Sequence, residues 1–263
     1  MKRLFIGVEV KAPWPLELPS GRIIEESHRH LTLAFLGKTD YEKLQKSLNS
    51  FPLPTFKVGV VGKFDQCLFL PPRHSRVVAW HIEWFDEKNP LKHFYDMLIQ
   101  WLQKEGLNPD TRHSFSPHVT LCRSPFNETA WKKAFTILPL FLKDIHLYES
   151  LGSSKYQSLW SYPLLTPFQE IEHTADIAFN VFGESFDELY RNALTALAFK
   201  FPPLIPFATR EEGLKSLEDV VMALNNIVYC ADKEIGCPFK AVSFHSDLEK
   251  KENIFKWVMI IDV

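Results

Sequence analysis

Apolar residues in the first part of the chain fall in short runs, most of which fit the two-residue period of a half-buried strand. Two stripes at helical spacing predict helices, one following Thr39–Asp40 and ending near Phe51, the other beginning at Asn89–Pro90 and ending near Gly106. A weaker helix is predicted over Asn127–Phe135. The pattern therefore favours many strands and few helices. The predicted strands are Arg3–Val10, Leu31–Leu36, Phe56–Val61, Val77–Trp84, Ile145–Tyr148 and Ser158–Leu164.

The pattern changes after Leu165–Phe168, where we place a domain boundary. The second part begins with a predicted strand and then alternates helices with breaks, so it is also of mixed α and β type. We predict two domains, at residues 1–164 and 168–263. The predicted elements of the second are a strand at Ile171–Phe182, helices at Ser185–Phe199 and Ser216–Cys230, and strands at Lys240–His245 and Phe255–Val263.

Charge separates the same two parts. Residues 1–164 carry 21 Lys and Arg against 16 Asp and Glu, whereas residues 165–263 carry 9 against 16, which together give the net charge of −2. The split favours two units with different partners, although neighbouring domains also drift in charge without any functional reason. The four cysteines form no CxxC pair, and no apolar run approaches the ~20 residues of a membrane span. We therefore expect a cytoplasmic protein with reduced thiols, no signal peptide and no membrane partner.

One tetrapeptide pattern occurs twice. His30-Leu31-Thr32-Leu33 and His118-Val119-Thr120-Leu121 lie 88 positions apart, both in strand-like sequence. Because side chains alternate along a strand, each copy places an imidazole and a hydroxyl on one face and apolar anchors on the other. A single copy would be weak evidence, since a lone histidine in a strand is usually structural. Two copies with the same flanks favour a shared site.

Two imidazoles and two hydroxyls around one anion suit phosphodiester cleavage. A neutral histidine can take a proton from water, and a protonated one can give a proton to the leaving alkoxide, since the ordinary pKa of ~6.5 lies near working pH. Threonine hydroxyls can hold the non-bridging oxygens of the phosphate. This chemistry needs no cofactor. The predicted catalytic residues are His30, Thr32, His118 and Thr120.

At these residues the sequence resembles the two-histidine phosphoesterase superfamily, specifically the RNA 2′,3′-cyclic phosphodiesterases, also called 2′–5′ RNA ligases. The resemblance covers about residues 2–164, and its motifs are Arg3–Val8, His30–Gly37, Ser116–Arg123 and the stretch from Leu147 to Leu164. It implies an α+β fold with a bilobal pair of antiparallel sheets, outer helices and a central cleft. The candidate substrate-binding residues are Arg123, which meets a phosphate or is solvated, and Tyr148 and Tyr156, which like Phe35 stack a base or pack in the core.

The second part resembles archease, the small activator of a GTP-dependent RNA ligase. The resemblance covers roughly 168–263, beginning at Glu172-His173-Thr174-Ala175-Asp176 and ending in the strands that hold Lys240 and Asp262. It implies a smaller α+β domain, with Asp176 and Asp262 near a metal and with His173 and Lys240 also functional. Two carboxylates would suit Ca²⁺ or Mg²⁺ if other oxygens completed the site.

The leading hypothesis is an enzyme that hydrolyses the 2′,3′-cyclic phosphate of an RNA end or nucleotide, in RNA repair or tRNA splicing. Its partners would be such RNA ends and a GTP-dependent RNA ligase. Two alternatives stay open: 2′–5′ joining through the same residues, and a non-catalytic ligase activator whose first domain only binds RNA ends. The identity of the acid and of the base is not determined by the sequence.

Overall fold

The computed structural model describes residues 1–110, 114–174, 176–243 and 248–263. Its strands form two sheets, and the first contains eight strands. These strands are β1 (Lys2–Lys11), β2 (Arg22–Ile23), β3 (His30–Thr39), β4 (Val61–Leu70), β5 (Val77–Trp84), β6 (His118–Arg123), β7 (Pro139–Gly152) and β8 (Lys155–Tyr162).

The first sheet closes on itself, because β1 pairs with both β3 and β7 in the order β1-β3-β6-β5-β4-β7. It consists of two antiparallel halves, one of β3, β1, β7 and β8, the other of β2, β6, β5 and β4. The halves are joined where Leu31 faces Val119 and where Val61–Lys63 pairs with Pro139–Phe141. The mixed α+β class with antiparallel sheets is thus confirmed, but the two halves are continuous rather than separate sheets.

Three helices cover the first sheet: α1 (Tyr41–Ser47), α2 (Pro90–Lys104) and α3 (Glu128–Ala134). The predicted cap of α2 is present, since the Asn89 side chain accepts a hydrogen bond from the Lys92 amide with proline at the first helical position. Its apolar stripe is buried in the core, as expected. The helix predicted to end near Phe51 is shorter, because α1 gives way to a 3₁₀ turn at Leu48–Ser50.

Two predicted strand boundaries in the first part are wrong. Phe56–Val61 contributes an isolated bridge, Val58 to Leu165, and the strand begins only at Val61. Polar residues such as Lys63 and Gln66 interrupt the apolar pattern of β4, so the pattern predicts no strand after Val61. Pairing with β5 holds β4 in the sheet instead. The predicted Ile145–Tyr148 is the middle of the fourteen-residue β7.

The second sheet contains β9 (Phe168–Ile171), β10 (Ile177–Gly183), β11 (Ala241–Val242), β12 (Leu248–Lys251) and β13 (Ile254–Asp262). The single strand predicted at Ile171–Phe182 is wrong, because β9 ends at Ile171 and a separate strand, β10, begins at Ile177. Phe244 and His245, the end of another predicted strand, lie outside the described residues.

Helices α4 (Phe186–Lys200) and α5 (Leu217–Ile235) pack on the second sheet. A 3₁₀ turn at Pro202–Phe207 lies between them, where the prolines break the helical pattern. The core of this unit continues into the first sheet, because Val61 and Phe141 belong to it and the rings of Phe141 and Phe168 lie 5.2 Å apart. Among the described residues, no helix is long and apolar enough to cross a membrane.

Candidate active site

The two repeated motifs meet at the centre of the first sheet. Leu31 of β3 lies opposite Val119 of β6, and both side chains are fully buried on the core side. In an antiparallel pair this register places His30 on the Thr120 side and Thr32 on the His118 side. Each motif histidine therefore neighbours the threonine of the other motif. The tertiary structure thus brings together the four residues that the sequence predicts as catalytic.

The four side chains line one cleft of about 400 Å³. Arg3, Arg22 and Arg123 line the same cleft, so it is rich in positive charge. Ser150 of β7 also lines the cleft, as do Ser153 and Ser154 of the turn between β7 and β8. A cleft with two imidazoles, two threonine hydroxyls and guanidinium groups is suited to a phosphate-containing anion.

Backbone carbonyls orient both imidazoles in the same way. The Nδ1 atom of His30 lies 2.7 Å from the carbonyl oxygen of His28, and Nδ1 of His118 lies 2.8 Å from that of Ser116. In each case the acceptor precedes the histidine by two residues. Because a carbonyl can only accept, Nδ1 carries the proton and donates it, which leaves Nε2 as the nitrogen available for acid–base chemistry.

Burial makes both histidines weaker bases than histidine in water. The pKa of His30 is lowered to about 4, chiefly by desolvation; the His28 carbonyl opposes this shift and the positive charge of Arg123 adds to it. Desolvation also lowers the pKa of His118, with a contribution from nearby His81. In the free protein near neutral pH, the His30 ring is therefore neutral.

Aromatic rings fix the position of His30. The ring centroids of Phe5, Tyr156 and Tyr148 lie 4.8, 4.9 and 5.4 Å from that of His30. Gly7 on β1 leaves the space that the imidazole needs, since a Cβ there would lie 3.3 Å from His30 Cδ2 and 3.0 Å from the Leu31 carbonyl oxygen. The aromatic side chains thus hold the His30 imidazole in place, and the absence of a side chain at Gly7 leaves room for it.

The predicted substrate-binding residues occupy different places. Arg123 and Tyr156 line the cleft, and an Arg123 guanidinium nitrogen lies 3.5 Å from the Tyr156 hydroxyl. Tyr148 packs against the rings of Phe5 and His30 and is not among the residues that line the cleft. Tyr156 therefore lines the cleft, whereas Tyr148 packs against His30.

A third histidine lies next to the site, and sequence reasoning did not select it. His81 of β5 is the register partner of His118, and its Nδ1 lies 2.7 Å from Asp65 Oδ1. Asp65 is far from the motifs in sequence and lies in a stretch of β4 for which the apolar pattern predicts no strand. The only available signal was the alternation of the Val77–Trp84 strand, which places His81 on one face without showing its neighbour.

The residues of the second predicted site converge at one end of the second sheet. Ile177 pairs with Ile261, so the register places Asp176 beside Asp262. The Lys240 amide donates to the Asp262 carbonyl oxygen, and Lys240 Nζ donates to that of Val263, at 2.8 and 2.6 Å. His173 Nδ1 lies 3.7 Å from Asp176 Oδ2.

This convergence does not amount to a complete metal site. Within the described part of the chain, no third His, Cys, Asp or Glu joins Asp176 and Asp262 in a compact ligand group. Ca²⁺ takes six to eight oxygen ligands, so water or a partner would have to supply most of them. Metal binding here stays a prediction.

No model of a known protein family matches the sequence, and no curated protein matches it. The fold does resemble solved structures. E. coli LigT complexed with 3′-AMP superposes with a TM-score of 0.45 at 24% identity, over 62% of this chain and 98% of that one. A crystal structure described as a phosphoesterase superposes with a TM-score of 0.44 at 22% identity, over 62% of this chain and 98% of that one. TT0787 of Thermus thermophilus superposes with a TM-score of 0.39 at 20% identity, over 62% of this chain and 97% of that one. Similarity at this level carries no conclusion about chemistry, which rests here on the side chains of this chain.

Proposed function

We propose that this protein is a phosphodiesterase that hydrolyses 2′,3′-cyclic phosphates at RNA ends or on nucleotides. One observation carries the proposal: two histidines from distant strands share one cationic cleft, each with a carbonyl-bonded Nδ1 and a free Nε2. Acid–base cleavage of a phosphodiester needs two such groups on one phosphate. Repair of RNA ends or tRNA splicing is the context in which such a substrate arises.

Each histidine ring transfers one proton in the reaction. Nε2 of the base takes a proton from water while the water oxygen bonds to phosphorus. The bond from phosphorus to one ribose oxygen breaks, and the acid gives its Nε2 proton to that oxygen. Thr32 and Thr120 donate to the non-bridging oxygens, and Arg123 balances their charge. The products are a ribose hydroxyl and a phosphomonoester.

The environments of the two histidines favour one assignment of roles. His30 has its pKa lowered to about 4, so it is neutral over a wide pH range and suits the base. His118 lies opposite Thr32 and beside the His81–Asp65 pair, and we assign it as the acid. An anionic phosphate in the cleft stabilises the charged form of His118.

Turnover of 2′,3′-cyclic AMP and of an oligonucleotide with a cyclic-phosphate end tests the proposal. We expect His30→Ala and His118→Ala each to lower kcat by about 10²-fold or more, because each removes a proton-transfer group. His93→Ala, a change at an exposed histidine on α2, is the matched control and should keep full activity. Full activity in either cleft variant would refute the assignment.

Joining of RNA ends is the alternative within the same cleft. A 5′-hydroxyl in place of water would give a 2′–5′ phosphodiester through the same two proton transfers. Analysis of products from a cyclic-phosphate oligonucleotide, with and without a 5′-hydroxyl strand, distinguishes the two: a phosphomonoester supports hydrolysis, a longer strand supports joining, and unchanged substrate supports an RNA-end adaptor.

For the second unit we propose a role as activator of a GTP-dependent RNA ligase. The placement of Asp176 beside Asp262 supports it, with Lys240 bonded to the same strand end. We expect Asp176→Asn and Asp262→Asn to reduce stimulation of such a ligase and to leave hydrolysis of 2′,3′-cyclic AMP unchanged. Loss of hydrolysis in these variants would mean that the two activities are not divided between the units.

A further inference from the structure

A second cluster of polar side chains lies on the same face of the first sheet as His30. Glu9 of β1 and Asp144 and His146 of β7 place their ligand-type atoms within 4.8 Å of one another, and all three are half-buried. Among the residues that the structure describes, this is the one group of three His, Cys, Asp or Glu side chains so arranged. None of the three has a place in the hydrolytic mechanism.

The His146 ring is held in a defined orientation. Ser158 Oγ donates to the Trp160 carbonyl oxygen at 3.2 Å, so its lone pair accepts from His146 Nδ1 at 2.9 Å. The second ring nitrogen, Nε2, then faces Glu9 Oε2 at 4.0 Å. Metal-bound histidines are oriented in this way, with the other ring nitrogen donating to an oxygen acceptor.

The gap between these two atoms is slightly wider than the distance between two ligands of one zinc ion. At 4.0 Å, Nε2 and Oε2 are too far apart for a hydrogen bond, which spans about 2.7–3.2 Å. Zinc bonds to imidazole nitrogen and to carboxylate oxygen are each about 2.0–2.2 Å, so two ligands at the tetrahedral angle lie about 3.3–3.6 Å apart. A closing movement of a few tenths of an ångström by the half-buried Glu9 side chain brings both atoms onto one ion. Asp144, on the same strand face as His146, supplies the third ligand.

A cation already lies near this position. Lys143 Nζ is 3.7 Å from Glu9 Oε2 and 3.8 Å from Asp144 Oδ2, longer than close ion pairs, and its side chain is 38% exposed. Lys11 binds the other oxygen, Glu9 Oε1, at 2.7 Å and leaves Oε2 available. The partly exposed Lys143 side chain can move into solvent when a metal ion takes its place.

We propose that Glu9, Asp144 and His146 form a site for a divalent transition-metal ion of the zinc class, with water as the remaining ligand. One imidazole and two carboxylates are a ligand set that zinc accepts, whereas calcium and magnesium prefer oxygen alone. The Tyr148 ring contacts both histidines, with centroids 4.9 Å from His146 and 5.4 Å from His30, and Glu9 is the register partner of His30. The site therefore adjoins His30 but shares no ligand with the catalytic pair.

Titration of the full-length metal-free chain with Zn²⁺ against a chromophoric chelator, and with Co²⁺ by absorption, tests the site. We expect one tight ion per chain and Co²⁺ bands of nitrogen and oxygen ligands. His146→Ala should abolish this binding, and Ser158→Ala should weaken it about 10- to 100-fold through the loss of ring orientation. Lys143→Gln should strengthen it about two- to fivefold, because a competing charge is removed.

The matched controls are His93→Ala, at an exposed position, and His30→Ala, in the catalytic cleft; both should retain the ion. Binding that survives His146→Ala, binding lost in His30→Ala instead, or a thiolate charge-transfer band with Co²⁺ would each overturn the proposal. Absence of any ion in the wild-type chain would do the same. The readout is metal affinity, so the result does not depend on phosphodiesterase activity.

Discussion

The electrostatics of the two motif histidines predict an unusually acidic pH optimum for cyclic-phosphate hydrolysis. The base must be neutral, so activity is lost as the pH falls through the pKa of His30, which burial lowers to about 4. The acid must be protonated, so activity is lost as the pH rises through the pKa of His118, which burial also lowers from the ordinary histidine value. The profile of kcat/KM should therefore be a bell whose two limbs both lie below about pH 6.5.

The size of the effect follows from the titration of one group. A histidine with the ordinary pKa of ~6.5 is protonated in about one molecule in eleven at pH ~7.5. Because burial lowers the pKa of His118 from that value, a smaller fraction of His118 rings carries the proton. Above the pKa, kcat/KM should fall about tenfold for each pH unit. The rate at pH ~7.5 should then be about a tenth of the maximum or less.

Initial rates with 2′,3′-cyclic AMP across about pH 3.5–8.5 measure this profile, and far-ultraviolet circular dichroism at each pH confirms that the chain stays folded. His81→Gln removes the neighbouring imidazole and should move the basic limb upward, because His81 contributes to lowering the pKa of His118. An optimum above pH ~7, or an acidic limb near the ordinary value of 6.5, would refute the role of burial in setting these pKa values.

Three further changes follow from the packing. Gly7→Ala places a methyl group 3.3 Å from His30 Cδ2 and 3.0 Å from the Leu31 carbonyl oxygen. The His30 ring must then shift by a few tenths of an ångström, which should lower kcat/KM roughly tenfold with little change in thermal stability. Unchanged kinetics would show that the methyl group does not displace the ring. Thr120→Val should lower kcat by about 10²-fold while Thr120→Ser keeps most of it, as single-turnover rates would show. Leu224→Ala, at a fully buried position of α5, should reduce the free energy of unfolding by about 2–5 kcal/mol in a urea titration.

Local sequence signals predicted many of the elements because their causes are local. Asn89 followed by Pro90 is sufficient to start a helix, and the alternation around His118 is sufficient to indicate which side chains share a face. The strand boundaries that the sequence did not predict depend on contacts between distant parts of the chain. The strand from Val61 to Leu70 carries polar residues on a half-buried face, and its pairing with β5 rather than its composition holds it in the sheet.

The sequence by itself determined the two imidazole–hydroxyl pairs, because the two-residue period of a strand places His30 with Thr32 and His118 with Thr120 whatever surrounds them. Only the tertiary structure decided that these pairs face one another, since the contact of Leu31 with Val119 closes a loop of 88 residues and depends on the packing of the whole sheet. The same holds for His81 beside His118 and for Glu9 beside His146. Those side chains have no common local pattern, and strand pairing alone brings them within reach of one another.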